Sequence, residues 1–217
     1  MKKPKWLREI KAVGWDVDGT LYPEEAIPDY EFREPQIKAV MEKKGWEKQR
    51  AEKEFERLYQ ECGSRTQALD QLGIDGIKFF TDLWDEMPLE KYIKKDEQLV
   101  KVFKRLTHLK HFVVTNAGRL DQVERKLKLV GLKPSWFKPI VSGYLLGAPK
   151  PEIRPFKEAV RLVGLKPKEI LFVGDRVKSD ILPAKQLGMR TALVGGKSEE
   201  ADIAFLQVYD IVIYFKS

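Results

Sequence analysis

Ala12-Val13-Gly14-Trp15-Asp16-Val17-Asp18-Gly19-Thr20 joins a short apolar run to two carboxylates and a glycine turn. A run of this kind, closed by Asp and Gly, has the pattern of a buried strand. In open α/β sheets ligands bind in the crevice outside the carboxyl ends of the strands, so this strand delivers Asp16 and Asp18 to the place where chemistry occurs. Two like charges so close repel each other and lose solvation, which a fold tolerates when a cation or a shared proton compensates. The pair therefore points to a metal and a reaction.

Working outward, four further apolar runs repeat the pattern: His111 to Thr115, Pro139 to Ser142, Ile170 to Gly174 and Thr191 to Val194. Helical stretches fit between them, from Gln122 to Val130, Ile153 to Val163 and Ile181 to Leu187, with Gly131, Gly164 and Gly188 as stops. Repeated βα units predict an α/β fold: a doubly wound, mostly parallel, Rossmann-like sheet. The run from Asp210 to Phe215 is expected to add a last strand. Residues 23–94 differ. Ala51, Phe55, Leu58, Tyr59 and Cys62 recur at helical spacing, as do Ile77, Phe80, Trp84 and Met87. This predicts an all-helical insertion, with Thr66 as the N-cap of one of its helices, inside a core made of residues 1–22 and 95–217.

Composition removes several classes. No apolar run approaches the roughly 18 residues of a membrane span. Although the formal net charge is +7, basic and acidic residues alternate, as in Glu47-Lys48-Gln49-Arg50-Ala51-Glu52-Lys53-Glu54. That is a solvated helix face, so a nucleic-acid partner is not expected. With Cys62 as the single cysteine no internal disulfide exists, and no secretory leader is visible, so a cytoplasmic setting is expected.

The ends of four strands carry polar groups suited to one phosphate. The first gives Asp16 and Asp18, the second Thr115 and Asn116. Lys150 lies in a loop after the third, within Ala148-Pro149-Lys150-Pro151. The fourth gives Gly174-Asp175 and, five residues on, Asp180. The Asp16 and Asp18 pair, Thr115-Asn116 and Asp180 also have structural readings, as a strand-end turn, a helix-cap or turn signal and a helix N-cap. His108 and His111 stand at the entry of the second strand, opposite its catalytic end, and Cys62 lies on an apolar helix face. All three are expected to be structural. Arg33, Arg65 and Lys78 read as solvated charges.

In order and placement these four motifs resemble the haloacid dehalogenase-like hydrolase superfamily, on its phosphatase branch. Pro155-Phe156 and the segment Ala184 to Thr191 strengthen the likeness, and the helical insertion is similar to the family's smaller cap domains. The resemblance implies hydrolysis of a small phosphorylated substrate. Asp16 would be the nucleophile that forms an aspartyl-phosphate, and Asp18 the general acid and base. Thr115 and Asn116 would hold phosphate oxygens, and Lys150 would neutralise them. Mg²⁺ is the implied metal, on Asp16, Asp175 and the backbone carbonyl of Asp18, with Asp180 binding through water or orienting Lys150. A sugar phosphomutase of the same superfamily and a non-catalytic module are the alternative readings. The sequence carries no spacing rule for the substrate or the oligomeric state.

Overall fold

In a computed structural model, which describes residues 3–215, strands β1 (Ala12–Trp15), β2 (Lys110–Thr115), β3 (Phe137–Ser142), β4 (Ile170–Gly174), β5 (Arg190–Val194) and β6 (Ile203–Phe205) form one sheet. All neighbours are parallel, in the order β3-β2-β1-β4-β5-β6. Every residue of β1 and β4 is buried, as helices on both faces require, and this is why both strands read as unbroken apolar runs. Trp15 stands opposite both Val113 and Val173, which brings the carboxyl ends of β1, β2 and β4 level. The chain steps from β1 to β2 to β3 on one side and resumes at β4 on the other. The order reverses at β1, and the crevice of a doubly wound sheet opens there. Gly14 is dictated by packing: a Cβ would lie 2.4 Å from Phe112 Cζ and 2.7 Å from Phe172 Cδ2.

Contacts divide the chain into two units, one of described residues within Met1–Ala26 and Leu89–Ser217, the other Ile27–Pro88. The first holds the sheet and helices α5 (Leu89–Tyr92), α6 (Glu97–Arg105), α7 (Leu120–Leu129), α8 (Arg154–Val163), α9 (Leu182–Gln186) and α10 (Ile211–Phe215), while the second holds α1 (Tyr30–Lys44), α2 (Lys48–Cys62), α3 (Arg65–Gln71) and α4 (Gly76–Glu86). Helix α8 packs on β2 and β3, with Phe156 edge-on to Phe172 at 4.9 Å. In the helical unit each helix packs on the next, burying Ile37, Val40, Phe55, Leu58, Leu69, Phe80 and Trp84. Gly45 and Gly63 end α1 and α2 in the left-handed conformation, the glycine stop of helix termini.

Two local expectations are corrected. The cap of α3 is Ser64, whose hydroxyl accepts the Gln67 N–H at 3.4 Å. Thr66 lies inside that helix and is buried. The run after Asp210 is helical rather than extended. Asp210 accepts the Gln207 N–H at 3.4 Å, fixing a helix start, and within the helix only Ile211 and Tyr214, three apart, are buried. The sixth strand is the earlier triplet Ile203–Phe205. His111, as expected, is structural: buried in an aromatic cluster with Trp15, Phe103 and Phe137.

Candidate active site

The acids at the ends of β1 and β4 meet at the reversal point of the sheet. The Asp16 N–H donates to Val173 O at 2.9 Å, tying the two strand ends together. Asp16, Asp175 and Asp180 each offer a carboxylate oxygen, all within 4.8 Å of one another. Lys150 reaches into this group from the loop after β3. Its buried Nζ lies 2.8 Å from Asp16 Oδ1 and 2.5 Å from Asp180 Oδ1. Asp180 is fully buried in a π-helical turn, Val177–Ile181, and its other oxygen accepts the Arg176 N–H at 3.0 Å. It thus closes a turn and holds Lys150 at once. Two glycines make the close approach possible. A Cβ on Gly174 would lie 2.4 Å from Asp180 Cβ, and one on Gly19, whose φ is +81°, 2.4 Å from Asp175 Oδ2. Thr20 donates to Asp175 Oδ1 at 3.1 Å.

Thr115 and Asn116 stand at the end of β2. The Thr115 hydroxyl accepts the Ala117 N–H at 3.2 Å and shapes the turn that follows. Asn116 grips the backbone of Lys150 from both sides, accepting its N–H at 2.7 Å and donating to its carbonyl at 3.0 Å. Its side chain therefore fixes the loop that carries Lys150, and one of its amide N–H groups is used in doing so.

Asp18 has a different environment from Asp16, although two residues separate them. Its carboxylate receives Lys126 Nζ at 2.8 Å on Oδ1 and 3.0 Å on Oδ2, and the Tyr22 hydroxyl also donates to Oδ1. Lys126, on α7, is completely buried. The two acids are driven apart electrostatically. Burial pushes the Asp16 carboxyl up to about 8 against the pull of Lys150, with Asp180 and Asp175 adding to the rise. Burial and Asp180 push Asp175 up to about 6. Asp18 is half-buried; desolvation pushes its carboxyl up too, but Lys126 and Tyr22 outweigh that and hold it below the usual carboxylate range. Three clustered acids outnumber the Lys150 ammonium and the half-exposed Arg176 guanidinium, whose Nε lies 3.7 Å from Asp175 Oδ2, and raised carboxyls are the sign of that deficit. A hard divalent cation fits this all-oxygen donor set.

Lys126 and Tyr22 belong to the site although sequence reasoning passed over both. The signal for Lys126 was present. It occupies the stripe Val123, Lys126, Leu127, Val130, whose other members are buried apolar residues, and a lysine on such a stripe needs a partner acid. In the helical unit, Arg65 pairs with Asp29 at 2.6 Å and bonds Gln36 at 3.0 Å, while Lys78 pairs with Asp82 at 2.6 Å.

A family model described as haloacid dehalogenase-like hydrolase matches residues 10–188. A glyceraldehyde 3-phosphate phosphatase of Methanopyrus kandleri is 29% identical over 205 residues, covering 85% of this chain and 84% of its own. Another, of Methanocaldococcus jannaschii, is 37% identical over 95 residues, or 43% of this chain; the match spans about two fifths of that relative, 41%. The crystal structure of a HAD phosphatase from Thermococcus onnurineus has the same fold, with a TM-score of 0.63 at 22% identity over 95% of this chain and 98% of its own.

Proposed function

The chain belongs to the haloacid dehalogenase-like hydrolases, and we propose that it is a Mg²⁺-dependent phosphatase of small phosphorylated metabolites that carries the phosphoryl group on Asp16. The observation that supports this most is the buried convergence of Asp16, Lys150, Asp175 and Asp180 at the reversal point of the sheet. In the proposed sequence Asp18, ionised in the resting site, takes up the proton of a phosphate monoester monoanion; Asp16 attacks phosphorus, the ester P–O bond breaks, and Asp18 passes that proton to the departing oxygen. Water then attacks the aspartyl-phosphate while Asp18 takes its proton, releasing phosphate and restoring Asp16. Lys150 neutralises charge on the phosphoryl oxygens, for which Thr115 and the Asn116 amide are the proposed further donors. Asp16, Asp175 and the backbone carbonyl of Asp18 would hold Mg²⁺, with Asp180 directly or through water, and the ion would supply Lewis-acid stabilisation of phosphoryl charge.

The helical unit is proposed to act as a cap that selects the substrate. The name shared by the relatives from Methanopyrus and Methanocaldococcus makes glyceraldehyde 3-phosphate the first compound to try. Phosphate release from it and from a generic aryl phosphate is expected with Mg²⁺, and is expected to vanish with EDTA and in Asp16→Asn. Equal rates with and without Asp16 overturn the nucleophile. Conversion of a sugar phosphate to its isomer without phosphate release overturns the hydrolase reading in favour of a mutase.

A further inference from the structure

Helix α7 places a fully buried ammonium against both oxygens of Asp18. The arrangement is asymmetric. Oδ1 receives Lys126 and the Tyr22 hydroxyl, whereas Oδ2 receives Lys126. A carboxylate has about four acceptor positions, so Oδ2 keeps more capacity for a further partner than Oδ1. The Asp18 side chain is 30% exposed where Asp16 is 9% exposed, and so it remains open to a substrate or a water. The backbone beneath it is fixed as well. Thr20 and Leu21 donate their N–H groups to Val17 O, at 3.3 and 2.9 Å, and Gly19 turns the chain with positive φ. With the backbone closed into this turn, the free variables left to Asp18 are its two side-chain torsions, and Lys126 contacts both ends of the group that they rotate.

We propose that Lys126 is a positioning residue for proton transfer: together with Tyr22 it locks the Asp18 carboxylate so that Oδ2 is the oxygen presented to the departing group and to the attacking water. This rests on the acid and base role assigned to Asp18 above. Acceleration by a positioned acid or base is typically 10²–10⁴-fold and depends on hydrogen-bond geometry, so loss of the clamp removes part of that factor without changing how substrate binds. Lys126 acts through Asp18, and a double-mutant cycle isolates that path.

The test compares wild type, Lys126→Met, Asp18→Asn and the double variant on an alkyl phosphate, whose poor leaving group makes the proton transfer count. Lys126→Met is expected to lower kcat roughly 10- to 100-fold with KM within about twofold, and to cause no further loss once Asp18 is Asn. Tyr22→Phe removes one hydroxyl from the core; it is expected to lower kcat severalfold, again only when Asp18 is present, and it serves if the lysine variant does not fold. Retained kcat in a folded Lys126→Met, or in Tyr22→Phe where the lysine variant does not fold, overturns the proposal. So does a rise in KM alone, or a loss that adds in full to that of Asp18→Asn. Full activity of Asp18→Asn itself removes the acid and base reading, a different failure, and the positioning role falls with it.

Discussion

His111 makes the stability of the sheet sensitive to acid in a calculable way. Trp15 Nε1 donates to its Nδ1 at 3.2 Å, so its Nε2 carries the proton and donates to Leu106 O at 3.0 Å. A second proton would have to enter at Nδ1, against the indole N–H. Burial, opposed by the Leu106 carbonyl, pushes the imidazole down from 6.5 to about 4. Above pH 6.5 the ring is neutral folded and unfolded, and contributes no pH dependence. Below it the unfolded chain binds a proton that the folded chain refuses until about pH 4, so stability is lost as pH falls through that window. At about 1.4 kcal/mol per pH unit, the loss amounts to about 3 kcal/mol. Asp16 and Asp175, whose carboxyls are raised, act in the opposite sense, so the measurement must be a difference. Urea unfolding of wild type and His111→Gln from pH 7 to 4 is expected to show wild type losing about 3 kcal/mol more than the variant. Parallel curves refute the neutral, Nε2-protonated assignment.

Lys150→Met leaves Asp16, Asp175 and Asp180 together without their ammonium. Breaking a buried pair in this way is expected to cost about 3–5 kcal/mol in EDTA, read by calorimetry, with Mg²⁺ restoring part of the lost melting temperature. A variant indifferent to Mg²⁺ contradicts the metal assignment. Gly174→Ala puts a methyl 2.4 Å from Asp180 Cβ, where backbone and a fully buried side chain must give way. A loss of about 1–3 kcal/mol is expected together with a large fall in kcat, because Asp180 holds Lys150. A variant with wild-type kcat would show that the spacing between these elements is not critical.

The sheet was legible because a strand covered on both faces is mostly apolar, and β1, β2, β4 and β5 are each buried over four consecutive residues or more. The failures occur where that rule stops applying. Ile203–Phe205 is too short to stand out. The run after Asp210 has β-branched and aromatic residues suited to a strand, yet the turn at Gln207 and Asp210 starts a helix instead. Local propensity is a weak prior against such a cap followed by burial three residues apart. The site divides in the same way. Asp16, Asp18, Thr115, Asn116, Lys150 and Asp175 follow strand ends in sequence, where an α/β sheet must place its ligands, so position alone marked them. Lys126 does not lie at a strand end. It stands in the middle of α7, eleven residues after Thr115, and its connection to Asp18 exists only once the sheet has formed. What marks it is a conflict between levels: a charge on a face that the rest of the helix requires to be apolar. Such conflicts carry functional information, because a buried ammonium is tolerated only where something compensates it. Here that compensation is a carboxylate in the first motif.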